Sequence, residues 1–219
     1  MEMAVQVEVW GEYACFTRPE MKVERVSYDV MTPSAARGLL EAIYWHPGMR
    51  WVIDRIYVLK PIDFTNIRRN EVKSKISGRS VGAVMKGGRG PLFISTADDI
   101  QQRAAMVLRD VRYVIEAHFE MTAQAAAGDN RGKFSDIMRR RLEKGQCYHQ
   151  PCFGCREFPA HFRKWEGGEI VTAYPGEEKD LGFMLYDLDY SDPDNITPQF
   201  FRAALRGGVL DLRDCEVFK

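Results

Sequence analysis

Gln101–Met121 reads QQRAAMVLRDVRYVIEAHFEM, and whether it is helix or strand decides the architecture of the chain. Its first half fits either period. In the second half Val111, Tyr113, Ile115, Ala117 and Phe119 alternate with Arg112, Glu116, His118 and Glu120, the pattern of a strand with one face in a core. The segment is therefore read as a hairpin turning near Arg109-Asp110.

Upstream, Val5, Val7 and Val9 alternate with Gln6, Glu8 and Trp10, which makes the opening segment another half-covered strand. Thr32-Pro33-Ser34 is a helix start, followed by the apolar stripe Ala35, Leu39, Leu40, Ile43, and that helix stops by Pro47. Trp51 to Leu59, rich in Val, Ile and Tyr, is the next strand. Downstream, Phe153 to Phe162 and Phe183 to Tyr190 read as strands. Thr197-Pro198 reads as the opening of a helix over Phe200, Phe201, Ala204 and Leu205, ended by Gly207-Gly208, with a last short strand at Val209, Leu210 and Leu212. Strand, helix, strand, then hairpin is the order of an open α+β sheet of the ferredoxin-like or RNA-recognition type.

The 219 residues carry 31 basic and 31 acidic side chains, so the chain is no histone-like polycation and the distribution of charge matters more than its sum. Residues 68 to 90 hold Arg68, Arg69, Lys73, Lys75, Arg79, Lys86 and Arg89 against Glu71 alone, and their glycines suggest a mobile loop that orders on a polyanion. Residues 176 to 195 reverse the sign, with Glu177, Glu178, Asp180, Asp187, Asp189, Asp192 and Asp194 against Lys179, and read as a solvated face and turn. No apolar run is long enough to span a bilayer and the N-terminus alternates, so a soluble, cytoplasmic protein without membrane contact is expected. Five cysteines without an export signal are expected to be reduced thiols.

Gly128 to Gly145, GDNRGKFSDIMRRRLEKG, sets Lys133 in a Gly/Asn loop just before a helix crowded with Arg139, Arg140 and Arg141. A helix start offers unpaired N–H groups and partial positive charge, to which Arg131 and Lys133 add full charges, so the strip suits a phosphate. A solvated helix face capped by Gly145 remains the plainer alternative. Tyr44-Trp45-His46-Pro47 closes the first helix with a hydroxyl and an imidazole that can stack on a base or move a proton, or else with ordinary core aromatics. CYHQPCFGC, with Cys147, His149, Cys152 and Cys155, has a C-x2-C half-site, but four candidates within nine residues lack a separated partner pair, and no metal is expected there. Neither a phosphate-binding P-loop nor a zinc-protease or serine-hydrolase signature occurs.

Taken together, VQVEVWGEYACFTRPE, YDVMTPSAARGLLEAIYWHP, VIDRIYVLKPI, LRDVRYVIEAHFEM, GDNRGKFSDIMRRRLEKG, GCREFPAHF and LGFMLYDLDY resemble, in order and over nearly the whole chain, the CRISPR-associated "Cas five" family of subtype I-C. The resemblance implies a ferredoxin-like domain over residues 1–122, including the basic loop 68–90, and a smaller β-rich domain over 123–219. It implies an endoribonuclease that cuts the repeat of precursor CRISPR RNA and stays on the 5′ handle in a surveillance complex with backbone and large subunits. The catalytic tyrosine of that family matches Tyr44 and the lysine of its Lys-His pair matches Lys133, while the histidine position holds Phe134. A phenyl ring moves no proton, so His46, two residues from Tyr44, is the candidate substitute. The chemistry implied needs no metal or other cofactor. A 2′-hydroxyl attacks the adjacent phosphate, leaving a 2′,3′-cyclic phosphate, while Arg68, Arg69, Lys73, Lys75, Arg79, Lys86, Arg89, Arg131, Arg139, Arg140 and Arg141 hold RNA backbone. The alternatives are a noncatalytic subunit that binds the handle and a subunit that contacts duplex DNA, which the residues neither support nor exclude.

Overall fold

A computed structural model describes residues 4–21 and 23–219, and among these nine strands form one antiparallel sheet. The strands are β1 (Val5–Ala14), β2 (Met49–Val58), β3 (Phe64–Val72), β4 (Ile100–Met121), β5 (His161–Lys164), β6 (Glu178–Asp189), β7 (Thr197–Arg206), β8 (Val209–Asp211) and β9 (Val217–Phe218). The helices are α1 (Pro33–Ile43), α2 (Gly78–Met85) and α3 (Arg131–Lys144). Strand order is β5-β1-β4-β2-β8-β7-β6, with β3 also on β4 and β9 on β7. The α+β class expected from the sequence is the class observed. Strands from both sides of residue 122 share the sheet, since β5 pairs with β1 and β8 with β2. None of the described helices is long and apolar enough to cross a membrane.

The expected hairpin at Arg109-Asp110 is instead one continuous strand. The first part of β4 pairs with β3, from Val72↔Ile100 to Phe64↔Leu108, and the second part lies between β1 and β2. Pairing survives the bend because Arg109 N–H donates to the Asp63 carbonyl at 2.9 Å and Leu59 N–H to the Arg112 carbonyl at 2.9 Å. Asp110 sits at φ 48, in the left-handed region that its short polar side chain tolerates, and its carboxylate receives Lys60 Nζ at 2.9 Å. A turn-like residue thus bends the strand without reversing it. Asp110→Val is expected to cost about 1–2 kcal/mol, the penalty of a branched side chain at that φ, read as a lowered urea midpoint with unchanged slope.

Three further expectations change. Thr197–Arg206 is β7, not a helix: Phe201, Ala203 and Leu205 are buried while Arg202 and Arg206 face outward, and β6 pairs along the whole segment. That alternation of period two outweighs the Thr-Pro signature. Gly207-Gly208, at φ 58 and 76, turns the chain into β8. Of Phe153 to Phe162 only the last two residues enter a strand, β5, and the remainder is a loop closed by a Cys152↔Pro159 bridge. Residues 68–90, expected as a loop, contain the end of β3 and then α2, capped by Ser77 Oγ accepting from Ser80 N–H at 3.4 Å. No residue of α2 is buried.

The core lies between the sheet and α1 and α3. In α1, Thr32 Oγ1 accepts from Ala35 N–H at 3.2 Å, Pro33 occupies the first turn, and Ala36, Leu39, Leu40 and Ile43 form a buried stripe. In α3, Phe134, Met138 and Leu142 repeat every four residues and are buried. Both stripes join Val7, Val9, Ile56, Ile115 and Ala117 of the sheet in one cluster.

Candidate functional site

The end of α1 is built by groups distant in sequence. Carbonyls of a last helical turn lack partners within the helix. Here Ala42 accepts from Tyr148 N–H (2.9 Å) and His149 N–H (3.2 Å), Ile43 accepts from the Arg141 guanidinium, and Tyr44 accepts from Trp51 Nε1–H at 2.9 Å. Tyr44 leaves the helix in an extended conformation, φ −151 and ψ 123, which turns its side chain toward α3. Its ring is only 5% exposed, lies under the Arg141 guanidinium at 5.0 Å, and meets Phe134 edge-on at 6.2 Å.

His46 follows in the same turn. Its Nδ1 accepts the Gly48 N–H at 3.0 Å, and its ring tilts over Phe134 with centroids 4.9 Å apart. Gly48 is needed as glycine because a Cβ there would stand 2.9 Å from Ala125 Cα. That close approach, with Thr122 N–H donating to the Gly48 carbonyl at 3.0 Å, brings the segment after β4 against the turn after α1.

Lys133 arrives from that segment. Asn130 caps α3 through Oδ1, which accepts Lys133 N–H at 2.9 Å. Lys133 Nζ donates to Asp129 Oδ1 at 2.8 Å, and Asp129 Oδ2 accepts Ala126 N–H at 2.9 Å while lying 3.8 Å from His46 Nδ1. Tyr44, His46 and Lys133 therefore gather at the N-terminal end of α3. Phe134 is fully buried and forms the floor beneath them.

Burial and neighbouring charges set the protonation of Tyr44, Lys133 and Asp129. Burial raises the Tyr44 hydroxyl above its ordinary value, Asp129 adds to this, and the nearby Arg141 and Lys133 charges offset it. Tyr44 is thus a hydroxyl at neutral pH. The hydrogen bond to Asp129 raises the Lys133 ammonium, and the reciprocal bond lowers the Asp129 carboxyl. A cation, a phenol and an imidazole beside a helix N-terminus can grip a phosphate, stabilise charge on it and exchange protons with its neighbours.

The other basic residues divide unexpectedly. Arg68, Lys73, Lys75, Arg79, Lys86 and Arg89 are exposed along the β3–α2 projection, as are Arg131, Arg139 and Arg140 on α3. Arg69 turns inward, pairing with Glu157 at 3.0 Å and lying over Phe158 at 5.4 Å, so its charge is used within the protein. Arg141, one helical step from Arg140, enters the site instead of facing solvent. Sequence reading missed Asp129, for which the only local signal is its spacing of four from Lys133. Cys155 stands beside Cys15 and holds its thiol below the ordinary value. Among the described residues no three His, Cys, Asp or Glu side chains gather as a metal ion would require.

A family model described as CRISPR-associated protein (Cas_Cas5), the Cas5d type, matches residues 4–213. A CRISPR pre-crRNA endoribonuclease Cas5d of Mannheimia succiniciproducens is 52% identical over 217 residues, covering 97% of this chain and 96% of the relative. The protein of the same name from Thermus thermophilus is 42% identical over 225 residues, covering 95% and 90%. Among solved structures, a CRISPR-associated protein superposes with a TM-score of 0.72 at 23% identity, covering 100% of this chain and 97% of its own. A chain of a CRISPR RNA-guided surveillance complex gives a TM-score of 0.50 at 11% identity, covering 99% and 89%.

Proposed function

The chain belongs to the Cas5d family of CRISPR-associated proteins, and from that premise we propose that it is a metal-independent endoribonuclease of CRISPR repeat RNA. After the cut it remains, in the cytoplasm, on the 5′ handle within a type I-C interference complex, beside backbone and large subunits. The observation that carries this reading is the meeting of Tyr44, His46 and Lys133 at the start of α3, with Arg141 above the tyrosine.

The scissile phosphate sits at the α3 N-terminus, where the positive end of the helix dipole, Arg131 and Lys133 attract it. His46 takes the proton of the 2′-hydroxyl, the 2′-oxygen–phosphorus bond forms, and the phosphorus–5′-oxygen bond breaks. The departing 5′-oxygen takes a proton from the Lys133 ammonium, and solvent returns the proton held by His46 to the lysine. Tyr44, a hydroxyl at neutral pH, donates a hydrogen bond that fixes the phosphate oxygens. The exposed cations of the β3–α2 projection and of α3 hold flanking backbone.

The buried Phe134 favours a second reading, in which the chain binds the handle without cutting. Incubation with end-labelled cognate repeat RNA in EDTA separates the two. Discrete products bearing a 2′,3′-cyclic phosphate, lost when the cleavage-site sugar is 2′-deoxy, are expected for the nuclease. A mobility shift with intact RNA selects the handle-binding subunit, and cleavage that appears only with added divalent ion refutes the mechanism.

A further inference from the structure

We propose that Asp129 is the positioning residue that joins Lys133 to His46 and selects which nitrogen of His46 faces the RNA. The proposal rests on the nuclease reading above.

Asp129 occupies a loop, where a carboxylate would ordinarily be solvated, yet its side chain is 3% exposed. A carboxylate withdrawn from water needs charged or hydrogen-bonding partners. Its two oxygens are committed separately: Oδ1 to Lys133 Nζ at 2.8 Å, and Oδ2 to Ala126 N–H at 2.9 Å. Oδ2 also lies 3.8 Å from His46 Nδ1, within a small ring rotation of contact. One anion thus stands between the two groups that handle protons.

The imidazole has two competing partners at the same nitrogen. With Nδ1 accepting the Gly48 N–H at 3.0 Å, a neutral ring carries its proton on Nε2, which can donate but not accept. For Nε2 to take the 2′-hydroxyl proton, Nδ1 must carry the hydrogen and release Gly48. Asp129 is the acceptor in reach for that state, and it also stabilises the imidazolium formed when Nε2 is protonated. Lys133 from α3 beside Asp129, Tyr44 from the end of α1 near both, and Arg141 over Tyr44 are charged and titratable groups that border the pair. Gly48 therefore holds the resting tautomer and Asp129 the reactive one, while the same carboxylate keeps Lys133 protonated and aimed.

The test is the pH profile of single-turnover cleavage in EDTA for native protein, Asp129→Asn, Asp129→Glu, His46→Ala and the double variant Asp129→Asn/His46→Ala, with RNA affinity measured in parallel. Asn keeps the shape and removes the charge. Asp129→Asn is expected to slow cleavage at neutral pH by about 10- to 100-fold, as for outer partners that orient a reacting side chain, with RNA bound at least as tightly. Asp129→Glu recovers part of the rate, and the double variant is little slower than His46→Ala, since the two act through one unit. A native rate and profile for Asp129→Asn beside an impaired Lys133→Ala overturns the proposal and leaves the nuclease reading intact. A native protein that binds but never cuts removes both. Independently of any variant, ¹⁵N shifts of His46 in the native protein should show an unprotonated Nδ1 in the neutral ring, and a neutral ring protonated on Nδ1 throughout overturns the two-tautomer scheme.

Discussion

Lys133→Ala is expected to slow single-turnover cleavage of cognate repeat RNA by about 10²- to 10⁴-fold, the range for losing a positioned proton donor that also stabilises charge on the phosphate. Affinity should fall only a few-fold, because many exposed cations share the backbone, so the loss appears in the rate at saturating protein. Lys133→Arg should recover little, since a planar guanidinium neither fits the Asp129 oxygen in the same way nor gives up a proton. The acidic limb of the pH profile then reports another group. Asp129 is lowered in the fold, so its pairing with Lys133 is present above the unfolded carboxylate value and is lost only as pH falls through the lower folded value. Lys133 is raised, so its share is present below the unfolded ammonium value and is lost only above the higher folded one. The pair is intact across neutrality, so neither partner accounts for a change in rate near pH 7. Single-turnover rates at saturating protein between pH 5 and 9 check the assignment, and a Lys133→Ala protein that cuts at the native rate refutes the role.

Phe134→Ala should produce the second large effect, a loss of about 3–5 kcal/mol in stability by chemical denaturation, the usual cost of emptying a buried aromatic site. The ring is fully buried, lies at the head of the α3 stripe and meets Tyr44, His46 and Phe119 at 6.2, 4.9 and 6.1 Å between centroids. Its removal leaves Tyr44 and His46 without a floor, so cleavage should fall even in the fraction that remains folded. A denaturation midpoint close to native would show that the Phe134 ring is not a structural support of the site.

The elements legible in the sequence were those whose signals agree. Thr32, Pro33 and the stripe to Ile43 all point to α1, and the valines of β1 alternate without interruption. Two misreadings came from residues with more than one structural use. Asp110 has the left-handed backbone of a turn but bends a strand paired on both sides, and Thr197-Pro198 has the composition of a helix start but opens β7. At the site, Tyr44, His46 and Lys133 were visible as chemical types, and the fold brings them together. Asp129 was not, because its role arises from a loop approach at Gly48 and Ala125 across 77 positions of chain, and no local pattern encodes such a meeting. Arg69 and Arg141, both expected to face RNA, turn inward for a similar reason, since which side of β3 or α3 faces protein depends on distant partners.

The unbroken course of β4 joins distant parts of the molecule along one backbone. Its 22 residues make a contour of about 70 Å, beginning beside the basic β3–α2 projection and ending at Met121, one residue before the threonine that clasps the turn after α1. One continuous backbone, flanked by β1 and β2 and bent at Asp110, therefore runs from the β3–α2 projection to the segment that delivers Asp129 and Lys133.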